Sequence, residues 1–524
     1  MSKQLQAVAI AAPGFFGLNT QQSGAVAGQG FALKSENCVI DKYGRLGARK
    51  GWEYVTTAKD TVAGGNVGAE IKGMARFLDV AGGELFFSWS ADKFYTGISD
   101  LTTVTPTTTD TIAAGNWQAA SLNDHMYFFQ RGYKPLVYSM ETGVAVFEDV
   151  DAHYFGYKDP LTQNTPKGNT ALSAYGRLWV ADTDTSKTTV YFSDVLTGWD
   201  FNSGTAGSID VSAVLTQGTD EIVSLGAHNG NLVVFCKNSI IIYGDGDNFQ
   251  SSINTTALTL VEVIQGVGCV ARDSVQNLGD DILFLSANGV RSLSRVVQEK
   301  SQPLSDISKN IQDDIVQLIQ GELSSTIKSV YSPSNSFYLI SFLNTGFTYC
   351  FNTGGRLEDG SFRVLLWDGQ TANAYLCHND SMYIAEGDGY AKYSGYADNG
   401  DKYSMTYYTT YLDLGEPSAA KFVKRISATT IGASGQTFVM KVGYDYEDEY
   451  NSYAFTTSAG GIVAEYGASE YNIGEYTSGT LIDNIQAPAG GTGTVLQVAF
   501  EADIDSAELS LQKISVYVKL GKIT

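Results

Sequence analysis

One motif recurs along most of this chain and constrains its fold more than any other feature. Between residues 70 and 396 an alternating apolar segment, a polar turn, a hydrophobic strand, a second turn and a Tyr-rich strand follow one another about seven times. The first copy runs Met74-Ala75-Arg76-Phe77, Gly82-Gly83, 84–89 and Phe94-Tyr95; the second runs 117–120, Asn123-Asp124, 125–129 and Val137-Tyr138. A third takes in 171–173, 177–180 and 190–192, and a fourth 222–225, Asn229-Gly230, 231–235 and 240–243. Further copies begin near Ser274, Thr326 and Asn373. Each fits three strands joined by tight turns, since Asn, Asp and Gly accept the left-handed backbone of a short hairpin. The spacing of roughly 40 to 55 residues is that of propeller blades. A blade has two apolar faces and cannot bury them alone, so stacking blades around an axis solves its problem. The expected fold is all-β: a β-propeller of six to eight blades over residues 70–402. A row of β-sandwiches uses the same strand lengths and stands as the alternative.

One helix interrupts the repeat. After Pro303, Ser305 or Asp306 is placed to cap a segment near 305–320 in which Ile307, Ile311, Ile315, Leu318 and Ile319 share a face and Gly321 supplies the stop. That face needs a partner, either the side of the propeller or another subunit. From about residue 403 the pattern changes to longer Tyr- and Thr-rich strands, such as 403–414, 437–442 and 515–520, with glycine-rich loops at Gly460-Gly461 and 490–493. Three regions are therefore expected: an extended or β segment over 1–69 packing on a channel or platform region, the propeller over 70–402, and a β-rich, sandwich-like domain over 403–524.

With 34 Lys and Arg against 56 Asp and Glu, the formal charge is −22, which opposes a surface built to grip nucleic acid. Acidic walls do suit a conduit through which DNA slides unheld. The five cysteines, Cys38, Cys236, Cys269, Cys350 and Cys377, are scattered and form no C-x-x-C pair, so reduced and mostly buried thiols are expected. The apolar stretch 5–18 is interrupted by Gln6 and broken by Ala11-Ala12-Pro13-Gly14, and no signal peptide is expected. No apolar run approaches the ~20 residues that span a bilayer, which predicts a soluble protein with no membrane span.

Catalytic signals are lacking. His125, His153, His228 and His378 share no ligand spacing, and no nucleophile-elbow, phosphate-loop or dinucleotide motif is present. Asp245-Gly246-Asp247-Asn248 and Glu386-Gly387-Asp388-Gly389 stop short of a calcium loop and read as hairpin turns. Ser193-Asp194 through Gly198-Trp199 reads as a strand-end turn. The expectation is therefore no enzyme: no catalytic, cofactor-binding or metal residue, and no cofactor.

Two stretches carry a resemblance. One comprises Gly176-Arg177-Leu178-Trp179-Val180-Ala181, 190–194, Gly207-Ser208-Ile209-Asp210, Leu232-Val233-Val234-Phe235 and 240–244. The other comprises Gly14-Phe15-Phe16-Gly17-Leu18-Asn19, Glu36-Asn37-Cys38-Val39-Ile40-Asp41 and 44–52. Together they resemble the tail nozzle or tail hub proteins of short-tailed bacteriophages, also called tail tubular protein B, over roughly 14–52 and 170–430. The resemblance implies a structural virion protein made in the host bacterial cytoplasm and assembled into a homo-hexameric ring. A tail adaptor would sit above it, fibre, spike or needle proteins around or below, and genomic DNA would pass through without tight binding. The ring's lumen would be acidic or neutral, with Lys421, Lys424 and Arg425 serving contacts between subunits or neighbouring tail proteins. A tail-fibre-like or receptor-binding adhesin is the alternative. A propeller glycosidase, which would need paired carboxylates at the propeller mouth, is a third reading.

Overall fold

A computed structural model of the chain describes residues 5–55, 70–113, 115–140, 144–153, 155, 165–216, 218–245, 255, 258–299, 307–387, 389–432, 435–457 and 481–523. The strands of the repeat form a closed β-propeller. Blade 1 consists of Gly73–Leu78, Glu84–Trp89, Phe94–Thr96 and Thr102–Val104; blade 2 of Gln118–Leu122, His125–Phe129, Leu136–Ser139 and Val146–Asp149. Blade 3 holds Gly168–Ala174, Arg177–Thr183, Thr189–Phe192 and Gly207–Asp210, and blade 4 holds Ile222–His228, Asn231–Cys236, Ser239–Asp245 and Leu258–Gln265. Blade 5 has three strands, Gln276–Asn277, Ile282–Ser286 and Gly289–Ser292. Blade 6, Ile327–Ser332, Phe337–Phe342, Phe347–Arg356 and Phe362–Asp368, is not a separate sheet but the first part of a ten-stranded one. Blade 7 joins Tyr375–His378, Ser381–Glu386 and Gly389–Tyr393 to an outer strand from the N-terminal region, Trp52–Tyr54, which closes the ring. Among the described residues, then, six units stand as separate sheets and one is shared. The first strands of successive blades touch around the axis, with the 3-10 turn Arg272–Ser274 standing in at blade 5, and blade 7 meets blade 1.

The central strands explain why the apolar runs looked continuous. In Asn231–Cys236, Leu232 and Val234 pack with Trp179 and Val190 of blade 3, whereas Val233 and Phe235 pack with Ile282 and Phe284 of blade 5. Alternation at period two is intact, but both faces are core. The same division holds in blade 3, where Leu178 and Val180 face blade 2 and Trp179 and Ala181 face blade 4. The inner hairpins turn on two residues of positive φ, Asn123-Asp124 (47° and 63°), Asn229-Gly230 (49° and 76°) and Asn379-Asp380 (45° and 58°). That is the geometry such turns require.

The expected helix forms as α2, Gln312–Gly321, after the 3-10 turn Lys309–Ile311, while the expected caps Ser305 and Asp306 lie outside the described residues. A shorter helix without a sequence signal, α1 at Leu293–Glu299, follows blade 5. The partner for the apolar face is the propeller: Ile307, Ile311 and Ile315 are buried with Leu283, Leu285, Ile340 and Phe351 of blades 5 and 6.

Beyond blade 6 the ten-stranded sheet continues through Gly17–Leu18, Phe31–Glu36, Tyr403–Thr409, Leu496–Ile504, Thr437–Tyr444 and Tyr450–Thr456. Over it lies a seven-stranded sheet built on Ala419–Gly432 and Leu509–Ile523, joined by Leu481–Pro488, Leu46–Ala48, Cys38–Ile40, Gln6–Ala11 and Thr492–Gly493. Their facing sides share one core, with Val423, Ile426 and Val516 against Met440, Val498 and Phe500, which is a sandwich. Thr492–Gly493, expected as loop, pairs with Lys421-Phe422, while Gly460-Gly461 lies outside the described residues.

Candidate functional site

Two places bring together residues from distant parts of the chain: the propeller axis and the junction with the sandwich. The axis holds a cavity of about 490 Å³ lined by the inner strands of all seven blades. Its charged groups enter from the 3-10 turn Arg272–Ser274, from Lys328 on the first strand of blade 6 and from Lys72 just before blade 1. Arg272, almost fully buried, reaches from blade 5 to the far side of the ring. Its guanidinium donates to the carbonyl of Asn116 at 3.2 Å and its side-chain oxygen at 3.0 Å, and to the carbonyl of Asn169 at 2.8 Å. It also pairs with Asp273 at 2.7 Å, and Lys328 of blade 6 bonds the same carboxylate. Burial raises the Asp273 carboxyl, but Arg272 and Lys328 override it and hold it well below the usual carboxylate range. At the entrance Glu70 accepts from Lys72 and from Asn373, each at 2.6 Å, tying blade 1 to blade 7. Arg272 and Lys328 share the one carboxylate of Asp273, and the network crosses the axis and binds non-adjacent blades together.

The junction is built on the N-terminal segment. Gly17 lies parallel to Val364 of blade 6 with φ 82°, and a Cβ there would stand 2.4 Å from the Val364 carbonyl oxygen, so only glycine fits. Arg49, 1% exposed at its side chain, donates to both carboxylate oxygens of Asp398 at 2.8 and 2.6 Å and to Asn37 Oδ1 at 2.9 Å. Its guanidinium lies 4.1 Å from the centre of the Tyr403 ring, and the Tyr403 hydroxyl donates to the Arg49 carbonyl. Asn37 in turn donates from its backbone to Leu366 and accepts from the Asp368 amide. One arginine thus ties the N-terminal hairpin, the exit from blade 7 and the first sandwich strand.

The histidines separate into local roles. His153 Nδ1 lies 2.8 Å from Glu148, His378 Nε2 lies 3.0 Å from Glu84, and His228 meets Asn229 at 2.9 Å. His125 and His153 rings approach to 5.9 Å beside Phe155, but among the described residues no group of three or more His, Cys, Asp or Glu could hold a metal ion. Of the two acidic turns, 246–248 and Asp388 lie outside the described residues; Glu386 pairs with Gly389 across a hairpin. Asp194 accepts from the Thr205 hydroxyl at 2.6 Å, and Trp199 is buried and stacks on Phe155 at 4.8 Å, so the 193–199 segment is the turn it was read to be. All five thiols are free, four of them buried, and burial pushes Cys236 up to about 12 and Cys269 to about 11. Lys421, expected at contacts between subunits, is instead fully buried, its ammonium donating to the carbonyls of Glu416 and Thr494. Arg425 lies over the Tyr517 ring at 4.0 Å, and Lys424 is exposed. Among the described residues no helix is long and apolar enough to cross a membrane.

No protein-family model matches the sequence, and comparison with curated proteins finds no match. Among solved structures the chain is similar to the extracellular domain of the putative hybrid two component system BT4673 from B. thetaiotaomicron, at 11% identity and TM-score 0.38 over 80% of this chain and 57% of that one. It is also similar to PorZ, a bacterial surface component of the type-IX secretion system of Porphyromonas gingivalis, at 11% identity and TM-score 0.33 over 69% of this chain and 43% of that one. A third likeness, to TmCBM61 in complex with beta-1,4-galactotriose, has 12% identity and TM-score 0.15 over 26% of this chain and 68% of that one.

Proposed function

We propose that this chain is a structural component of a bacteriophage tail, a nozzle or hub subunit that forms part of the DNA-ejection conduit and a platform for neighbouring tail proteins. What supports the reading is the place of the residues that carry the resemblance. Gly14–Asn19, Glu36–Asp41 and the 44–52 segment are the ones that weld propeller to sandwich, through Gly17, Asn37 and Arg49. A sheet running unbroken from blade 6 into the sandwich makes the body stiff, as a load-bearing ring subunit must be. Because Arg272 reaches across the propeller axis to Asn116 and Asn169, the reading has a duplex pass between copies rather than through a propeller. Native mass spectrometry with electron microscopy of the purified chain tests the reading. A six-fold ring open at its centre is expected, with no tight duplex binding at physiological salt; a trimer with a free tip overturns it in favour of a fibre-like adhesin.

A further inference from the structure

Between blade 6 and the sandwich lies a second cavity, of about 770 Å³, which neither the axis nor the Arg49 contacts occupy. Its lining includes Lys42 and Lys50 from the N-terminal hairpin and Arg363 from blade 6, with the carboxylates of Asp41 and Glu508. Among the described residues none of these three forms an ion pair, although nearby Arg45 and Arg49 each do, with Asp41 and Asp398. Arg363 is the least satisfied of the three. It sits across from Asn352 on the neighbouring strand, its Nη2 reaches only the Pro13 carbonyl at 3.4 Å, and its buried Nε has no partner. Burial alone acts on this guanidinium, lowering its hold on the proton, with no carboxylate to offset it. Buried donors of this kind are kept where something completes them.

The cleft is also preorganised. Asp41 Oδ1 accepts from the backbone amides of Tyr43 and Arg45 at 2.8 and 2.9 Å, and Gly44, at φ 75°, packs so close to Pro13 that a Cβ would lie 2.5 Å from its ring. Lys42 therefore stands on a fixed turn. The blade 6 hairpin also lines the cleft with Ser334, Asn335 and Ser336, whose donors bond Asp380, Ser332 and Pro333 and whose oxygens can accept from a ligand. The aromatic rings nearby are spoken for: Tyr43 is covered by Arg45 at 4.5 Å, and Tyr393 stacks on Trp367 at 5.5 Å. Phe337, also in the lining with Tyr396, meets Trp367 and Tyr393 edge-on at 5.5 and 5.9 Å, so three of these four rings already have partners and a nucleobase gains little stacking here.

We propose that this cleft binds an anionic saccharide, whose phosphate or carboxylate is held by Arg363, Lys42 and Lys50 and whose hydroxyls meet Ser334, Asn335 and Ser336. The cavity volume is that of an ordinary small-ligand site. Calorimetry on the full chain with glucose 6-phosphate, glucuronic acid, glucose and inorganic phosphate tests it, the first two separating a phosphate from a carboxylate source. At least one anionic sugar should bind ten-fold or more tightly than both glucose and inorganic phosphate, and added salt should weaken it. Lys42→Gln with Lys50→Gln, surface changes that spare the core, should reduce that affinity at least ten-fold, and Arg363→Gln should reduce it further. Inorganic phosphate binding as tightly as either sugar, a single-stranded oligonucleotide displacing the sugar, equal affinity in the double variant, or no binding of either anionic sugar would each overturn the proposal.

Discussion

Arg49→Met is the substitution that most directly tests whether propeller and sandwich are one mechanical unit. Methionine keeps an unbranched stem against Tyr403 but removes every guanidinium N–H, leaving the Asp398 carboxylate without its arginine and Asn37 Oδ1 with the Asp368 amide alone. Breaking a buried ion pair by deleting one partner costs about 3–5 kcal/mol, and the 19% exposure of Asp398 puts this case near the low end, about 3 kcal/mol. If all 524 residues unfold together, the unfolding entropy is about 1.1 kcal/mol per degree, so the melting temperature falls by about 3 °C. If instead the junction parts first, calorimetry resolves one transition into two, the earlier belonging to the sandwich. Asp398→Asn combined with Arg49→Met should give a coupling of about 0.5–3 kcal/mol in a double-mutant cycle. A shift below about 1 °C with an unsplit transition, or strictly additive effects, would refute the argument that this one side chain joins the two bodies.

Two further outcomes follow from the packing and the axis. Phe235→Asp places a charge at a fully buried position against Phe284, at a cost of several kcal/mol, and should leave the chain insoluble; wild-type solubility and melting would contradict the blade 4–blade 5 contact. Asp273→Asn should destabilise by about 1–3 kcal/mol at pH 7. Since the carboxyl is held below its unfolded value of about 3.9, its contribution is present above that pH and fades below it, so the difference from wild type should shrink by about 1.3 kcal/mol by pH 3 in urea titrations; a constant difference would sink the assignment.

The seven copies of the repeat were legible because their middle strands are apolar on both faces, as Leu232-Val233-Val234-Phe235 shows, and because Asn-Gly and Asn-Asp turns punctuate them. The outer strands were not. Thr102–Val104 and Gly207–Asp210 are short and largely exposed, so nothing in their residues separates them from loop. Trp52–Tyr54 had still less signal: three residues whose strand identity comes from Ala391-Lys392-Tyr393, far along the chain. The helix was readable from its isoleucine spacing; α1, at seven residues, spans too few turns for periodicity to show. The junction was visible only as a run of glycines and an Asn-Cys motif, because the need for glycine at position 17 is set by Val364, which no local reading places beside it.

Charge was the least transferable reading. Composition gives a large acidic excess, and with the resemblance it implies that the lysines and arginines go mainly to contacts with other subunits or tail proteins. Several of them are instead consumed inside the chain, some by carboxylates, as Arg49 by Asp398, and some by neutral oxygens as well. Arg272 spends four of its bonds on Asn116 and Asn169, Arg177 donates to the carbonyls of Ser193 and Thr205, and Lys421 donates to those of Glu416 and Thr494. Against that pattern, Lys42, Lys50 and Arg363 share one cleft without an ion pair among the described residues, and its Asp41 already bonds Arg45, which sets the cleft apart from the axis, where Asp273 and Glu70 offset the cations.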